Sequence, residues 1–270
     1  MTTDVTRVAV LGAGMLGEAL LSGLLAAGAA PASLLITEKR SDRAAALQAQ
    51  YGVEVVDNAT AAARADVLLL AVKPQDIPAL ATEISAALDP GKLVVSMAAG
   101  VLLSTLESNL PAGIPVVRVM SNTPVRVRAA MSALAAGTAA GFEHLERAEQ
   151  VLSAVGRTVR VTEAQLDAVT AVSGSGPAYF FYVVEAMIDA GVALGLPRDV
   201  ATELVVQTAY GSSTMLRDSG DHPVALREAV TSPGGTTAAA IRALEGHGVR
   251  AAFDAALRAA AERSKELGRG

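Results

Sequence analysis

The chain has no cysteine and no tryptophan among its 270 residues. It can therefore form no disulfide, thiolate nucleophile or cysteine-ligated metal site, which fits a cytoplasmic protein. Histidine is nearly as scarce. His144, His222 and His247 lie far apart without ligand-like spacing, so no metal site is expected. Aromatic residues reach only 3%, too few for a base-stacking surface. With a net charge of −5 and no block of Lys and Arg, neither nucleic acid nor an anionic membrane is an expected partner. The opening MTTDVTRVAV lacks a basic region leading into an apolar run and a cleavage site, so no signal peptide is expected. The most apolar stretch, residues 168–184, is broken by Thr, Ser, Gly and Pro and followed by Glu185 and Asp189, which suits a buried helix better than a membrane span. What the chain has in plenty is apolar residue, 51% against 18% charged, enough for one large domain or two smaller ones.

The first half alternates strand and helix. Residues 7–11 (RVAVL) form a short buried strand that runs into Gly12-Ala13-Gly14-Met15-Leu16-Gly17 and then a helical pattern through Ala27. Strand, GxGxxG and helix in this order make a dinucleotide-binding fingerprint: one glycine turns the chain, one admits a pyrophosphate, one lets helix and strand pack. Residues 34–37 (LLIT) form the second strand. The following Glu38-Lys39-Arg40-Ser41 lies where the adenosine ribose is read. Glu38 favours the 2′-hydroxyl of NAD(H); Lys39, Arg40 and Ser41 favour the 2′-phosphate of NADP(H). Further strands are expected over 53–56, 67–72, 93–96 and 116–120, with closing edge strands over 131–136 and 157–161. The loops at Gly12, Asn58, Lys73, Ala98 and Asn122 would then share one rim beyond the strand ends. After residue 161 strand-like runs cease and helices follow, over 163–172, 177–194, 198–218, 223–230, 236–245 and 249–267. The fold class is α/β: a Rossmann-type dinucleotide-binding domain over 1–162, followed by an all-α domain over 163–270. The helix over 177–194 is apolar all round and is expected to be buried. An all-α domain of this size cannot bury several such helices alone, so a homodimer is expected.

Residues 230–244 (VTSPGGTTAAAIRAL) begin as a loop and become a helix. Gly234 and Gly235 permit a tight turn and a close approach to a ligand. Thr236 or Thr237 can cap the helix, whose start offers free N–H groups and a partial positive charge to a small anion. A second small-residue stretch, Ser173-Gly174-Ser175-Gly176, precedes Pro177 at another expected helix start. General acid–base residues are few. Lys73 is the one lysine on the expected rim, and Glu163 with Asp167, one turn apart, reads as a solvated face rather than a dyad. That scarcity suits reduction of an iminium, which arrives protonated and mainly needs a hydride donor placed beside it.

Together these motifs resemble pyrroline-5-carboxylate reductase over nearly the full length: GAGMLG at 12–17, AVKPQ at 71–75, SMAAG at 96–100, DAVTAVSGSGPAYFF at 167–181 and AVTSPGGTTAAAIRALE at 229–245. The resemblance implies NAD(P)H-dependent reduction of 1-pyrroline-5-carboxylate to L-proline. It implies that Leu11, Gly12, Ala13, Gly14, Met15 and Leu16 hold the pyrophosphate, and that Asn58, Ala71, Val72, Lys73 and Pro74 contact the cofactor. Ala98, in the loop over 96–99, would border the nicotinamide, and Glu163 with the turn over 173–176 would line its pocket. Lys39 and Arg40 would meet the ribose. Ser232, Gly234, Gly235, Thr236 and Thr237 would hold the substrate carboxylate, with Thr237 nearest the ring nitrogen as the candidate donor. In this family the substrate loop serves the partner subunit's cofactor. Three departures stand out. Ser121 replaces a proline of RxMPNTP, which is expected to loosen that loop. The segment over 218–221 lacks an acid that some members carry near the substrate, although Asp221 could stand in. Glu38 leaves the choice between NADP(H) and NAD(H) open. The rivals are an imine reductase or hydroxyacid dehydrogenase of the same architecture and a non-catalytic dinucleotide sensor. Residues 161–172 contain no lysine to protonate an alkoxide, which counts against a hydroxyacid enzyme.

Overall fold

A computed structural model describes residues 6–268. The first five residues, part of the stretch read for a signal peptide, and the last two lie outside the described residues. The chain packs as two compact units. Among the described residues, one comprises residues 6–175 with 260–268, and the other Gly176–Ala259.

The first unit is built from β1 (Val8–Leu11), α1 (Met15–Ala26), β2 (Leu34–Thr37), α2 (Ser41–Tyr51), β3 (Glu54–Val55), α3 (Asn58–Arg64), β4 (Val67–Leu70), α4 (Ile77–Ile84), β5 (Leu93–Ser96), α5 (Leu103–Ser108), β6 (Val116–Met120), β7 (Ala130–Ala136), α6 (Phe142–Leu152), β8 (Gly156–Arg160) and the short α7 (Leu166–Val169). Its sheet has the order β3-β2-β1-β4-β5-β6-β7-β8, parallel from β3 through β6. Successive residues of a strand point to opposite faces, and both faces are covered. Val8, Val10, Val67 and Leu69 enter one apolar cluster; Ala9, Leu11, Leu68 and Leu70 enter the other. Burial on both sides is why these strands read as unbroken apolar runs.

Several expectations need correction. The strand expected at the sheet's margin over 131–136 is interior: β7 pairs antiparallel with β6 on one side and parallel with β8 on the other, leaving β8 as the edge. The segment expected as one helix over 163–172 is composite. It starts as a 3-10 turn, Glu163–Gln165, becomes α7, and passes into a π-helical turn, Thr170–Gly174. It packs with the sheet-bearing unit, which runs through Ser175, because Leu166 is buried in the second apolar cluster.

The second unit holds α8 (Gly176–Ala193), α9 (Arg198–Asp218), α10 (Pro223–Ala229), α11 (Thr236–Gly246) and the larger part of α12 (Val249–Leu267). Gly195, at φ +99°, turns the chain after α8, and Arg198 at the start of α9 reaches Asp189 at 2.9 Å. The expectation that the apolar helix over 177–194 is buried fails within one chain. Phe180, Phe181, Tyr182 and Met187 of α8 are exposed, as are Leu204, Tyr210 and Met215 of α9. A handful of helices offers too little cover for an all-apolar circumference. Among the described residues, no helix is long and apolar enough to cross a membrane, and no group of three or more His, Asp or Glu could hold a metal ion.

Candidate functional site

The parallel strands end in register. Leu11 lies beside both Thr37 and Leu70, and Leu70 beside Ser96. The loops that follow therefore open along one edge, and strand order reverses between β1 and β4, where ligands bind in such sheets. At this reversal lies Gly12, with φ +92°; a Cβ there would stand 2.7 Å from Val72 Cγ1. The N–H groups of Gly12 and Ala13 donate to the Thr37 carbonyl at 3.2 and 2.9 Å, and the Gly12 N–H also to Thr37 Oγ1 at 3.1 Å. These two N–H groups anchor the loop. The donors left for an anion are at the start of α1, where Met15 and Leu16 have no preceding turn to bond. Gly14 caps this helix in extended backbone, and a Cβ added to it would meet nothing within 4 Å, so what its missing side chain admits is not protein. Gly17 differs: a Cβ there would collide with the Gly12 carbonyl oxygen. Turn, open cradle and tight helix–strand contact are the three requirements of a dinucleotide pyrophosphate loop, and the residues present fit that group. Leu11 and Ala13 are fully buried beneath the loop, Leu16 is half-buried, and Met15 is exposed beside it.

Beyond β2, Lys39 and Arg40 are 79% and 69% exposed, whereas Glu38 is only 12% exposed. Glu38 Oε1 accepts the Arg40 N–H at 3.0 Å, and Oε2 lies 3.5 Å from Arg43 Nε. Arg43 also donates from Nε to the Ala13 carbonyl at 3.0 Å and from Nη2 to Glu18 at 2.7 Å. Tyr51 donates to Glu18 at 3.1 Å; burial, then this hydrogen bond, pushes its phenol above the ordinary value. The Asp42 carboxylate holds the exposed Arg40 guanidinium above its usual pKa, and Asp42 is lowered in return. Asn58, after β3, opens α3 and donates to Glu83 at 2.5 Å. Asp57 caps that helix, and the Thr60 N–H and then its hydroxyl lower the Asp57 carboxyl.

After β4, Ala71 and Val72 are half-buried and bring the chain over Gly12, with the Ala71 N–H donating to the Leu11 carbonyl at 2.9 Å. Lys73 and Pro74 follow on the exposed rim at the start of a 3-10 turn. Ala98, after β5, is buried, so it can offer a ligand backbone and a methyl group at most. After β6, Asn122 joins two segments. Its Nδ2 donates to the Ser173 carbonyl at 3.2 Å and its Oδ1 accepts the Met131 N–H at 3.0 Å. At the place of the family's proline, Ser121 Oγ accepts the buried Ser132 hydroxyl at 2.9 Å. The stretch over 173–176 interrupts the helix as expected: Ser173 and Gly174 end the π-helical turn, Ser175 is a bend, and α8 starts at Gly176. A Cβ on Gly174 would press on the terminal methyl of Met120, which would have to move aside. Such π turns cluster at functional sites.

Glu163 and Asp167 do not form a solvated face. Glu163 Oε1 accepts the Leu103 N–H at 2.6 Å and Arg118 Nη1 at 2.8 Å, and Asp167 accepts the Ser264 hydroxyl at 2.7 Å. Arg118 is a charged residue whose role sequence reasoning passed over. Its signal was a lone cation in the apolar strand VVRVM.

In the helical unit, Ser232, Pro233, Gly234 and Gly235 form a turn closed by the Gly235 N–H on the Ser232 carbonyl at 3.1 Å. Pro at the second place and Gly234, with φ +70°, at the third give the type II pattern. A Cβ on Gly235 would lie 2.5 Å from Ser232 Oγ. The expected threonine cap is corrected: Gly235 is the N-cap of α11, no side chain caps it, and Thr236 and Thr237 occupy the first two helical positions. Both hydroxyls and the first N–H groups of α11 are thereby left for a ligand rather than spent on the helix. Thr237 is half-buried; Ser232, Gly234 and Thr236 are exposed.

Known proteins share this sequence and this fold. Residues 163–267 match the family described as pyrroline-5-carboxylate reductase dimerisation, and residues 7–100 that described as NADP oxidoreductase, coenzyme F420-dependent. The chain is 47% identical over 268 residues to a pyrroline-5-carboxylate reductase of Corynebacterium melassecola, covering 98% of this chain and 99% of that protein. The corresponding protein of Pseudomonas aeruginosa is 44% identical over 263 residues, covering 97% and 96%. Among solved structures, a pyrroline-5-carboxylate reductase from Coxiella burnetii superposes with a TM-score of 0.94 at 36% identity, covering 98% of this chain and 99% of that one. A Plasmodium falciparum pyrroline carboxylate reductase with NADP bound gives 0.84 at 28% identity, covering 97% and 98%.

Proposed function

This chain belongs to the pyrroline-5-carboxylate reductase family, and on that premise we propose that it reduces 1-pyrroline-5-carboxylate to L-proline with NADP(H), or NAD(H), as cofactor. The observation that carries the reading is the open cradle at Gly14 beside the free start of α1, at the strand-order reversal, in a chain matched by reductases along almost its whole length. When bound, the nicotinamide supplies a hydride to C5 of the cyclic imine. Gly12 and Ala13 fix the loop; Gly14, Met15 and Leu16 offer backbone to the pyrophosphate. Lys39 and Arg40 meet the ribose end. Asn58, Ala71, Val72, Lys73, Pro74 and Ala98 border the cofactor along the rim. Glu163 acts there by holding Arg118 and the Leu103 N–H, so its role is positioning. Ser232, Gly234, Gly235, Thr236 and Thr237 hold the substrate carboxylate, where the start of α11 favours an anion. The substrate arrives as an iminium, so the protein needs no strong acid. Thr237 is the hydroxyl proposed to face the ring nitrogen.

The division of labour follows the same proposal, with residues 1–162 for the cofactor and 163–270 for dimerisation and substrate, in a cytoplasmic homodimer. The exposed aromatic and aliphatic residues of α8 and α9 support it, since patches of this kind mark contact surfaces. Light scattering is expected to give at least twice the mass of one chain; a monomer at micromolar concentration would remove the dimer.

The deciding experiment is steady-state turnover of pyrroline-5-carboxylate with NADPH and with NADH in parallel. NADPH oxidation that substrate does not accelerate refutes the reading. Thr237→Ala is expected to lower kcat/KM about 10- to 100-fold while leaving NADPH binding unchanged, since it removes one hydrogen bond to the ring nitrogen, where a lone pair forms as hydride neutralises the iminium. If the rate survives that change, the hydroxyl positions substrate at most.

A further inference from the structure

We infer that Arg43 sets the cofactor preference of this chain by drawing the Glu38 carboxylate out of the ribose subsite; the inference deepens the reductase reading and rests on it for the identity of the ligand. An acid immediately after the second strand of such a sheet accepts from the 2′-hydroxyl of NAD(H), and it repels the 2′-phosphate of NADP(H). By position Glu38 is that acid. In this structure both of its oxygens already have protein partners: the side chain is 12% exposed, with one oxygen on the Arg40 N–H at 3.0 Å and the other 3.5 Å from Arg43 Nε.

Arg43 is itself held by two further partners. Nε donates to the Ala13 carbonyl at 3.0 Å, Nη2 meets Glu18 at 2.7 Å, and Glu18 is tied in turn by the Tyr51 hydroxyl at 3.1 Å. One guanidinium thus couples the pyrophosphate loop to the ribose loop and gives Glu38 a partner other than the ligand. With Glu38 withdrawn, Lys39 and Arg40 are the charges presented to the approaching ribose. The Arg40–Asp42 pair at 2.6 Å does not disable Arg40, because an exposed pair is weak and exchanges readily for phosphate.

The test measures dissociation constants of NADPH and NADH by nicotinamide fluorescence on the full chain. The parent, Arg43→Met, Arg43→Lys, Glu38→Gln and the Arg43→Met/Glu38→Gln double variant are compared. Arg43→Met is expected to cut the preference for NADPH over NADH at least about fivefold, through weaker NADPH binding, because it frees an acid beside the phosphate. Arg43→Lys, which keeps a cation, is expected to retain more of the preference than Arg43→Met. The double variant is expected to return to within about threefold of the parent, since the repelling charge is gone. A smaller fall in the single variant, equal weakening of both cofactors, or a double variant outside that window overturns the inference. If Arg43→Met does not fold, Glu38→Gln decides. Its preference is expected to stay within about threefold of the parent, and a larger rise means that Glu38 already faces the ribose. Failure of pyrroline-5-carboxylate to speed NADPH oxidation by the parent removes the reductase reading, while the two dissociation constants still settle the role of Arg43.

Discussion

Gly14→Val is expected to leave the melting temperature close to that of the parent and to weaken NADPH binding at least about a hundredfold. Gly14 has ordinary extended backbone, so valine meets no conformational penalty, and its Cβ would touch no protein atom. The side chain would instead fill the space through which a pyrophosphate reaches the Met15 and Leu16 N–H groups. Losing two such bonds at about 1.5 kcal/mol each removes about 3 kcal/mol, which is roughly a hundredfold in affinity. Gly17→Ala, three residues on, is expected to behave oppositely. Its Cβ would press on the Gly12 carbonyl and lie 3.1 Å from Val10 Cγ1. Overpacking of this kind costs about 1–3 kcal/mol, which would lower the melting temperature by about 3–10 °C. Thermal denaturation and fluorescence titration of the two variants separate a glycine kept for a ligand from one kept for the fold. Equal stability loss in both would mean that Gly14 is structural.

Glu163→Ala is expected to destabilise the protein by about 2–3 kcal/mol, somewhat below the cost of breaking a fully buried pair because Glu163 is one-third exposed. The change strands the Arg118 guanidinium, which is only 10% exposed, and leaves the Leu103 N–H without its acceptor. Glu163→Gln keeps an acceptor oxygen and is expected to recover about half of the loss. Replacing both Glu163 and Arg118 with apolar residues of similar size should cost less than Glu163→Ala alone, because no buried charge is then abandoned. Urea denaturation of the four proteins checks this order. A Glu163→Ala protein as stable as the parent would show that Arg118 finds water or another acceptor at no cost.

Much of the sheet was legible because burial on both faces forces unbroken apolar runs, and the runs at β1, β4 and β5 could hardly be anything else. The glycine loop was legible because three spaced glycines meet three separate steric demands. What escaped depends on neighbours distant in sequence. Nothing local to residues 130–136 says that β8 will pair outside β7. The alternation of a strand does not reveal that an arginine within it will find a glutamate 45 residues later. The threonine pair at 236 and 237 looked like a cap because threonine often is one; Gly235 takes that place once the type II turn at Pro233 and Gly234 has set the direction of the chain. The apolar circumference of α8 was read correctly as sequence, but within one chain its cover is missing, because burial is a property of the assembly. Arg43 escaped for a simpler reason. A charged residue in the first turns of a surface helix usually faces solvent, and only the positions of Ala13, Glu18 and Glu38 show otherwise.

Residues from Ala260 onward belong with the sheet, and Ser264 ties them there through Asp167. On the ribosome, the strands up to β8 emerge early and can pair while synthesis continues. This last piece of the same unit appears only after residues 176–259 have been made. A chain released early, within that interval, would carry every residue of the glycine loop and still lack the segment that packs back onto the sheet-bearing unit.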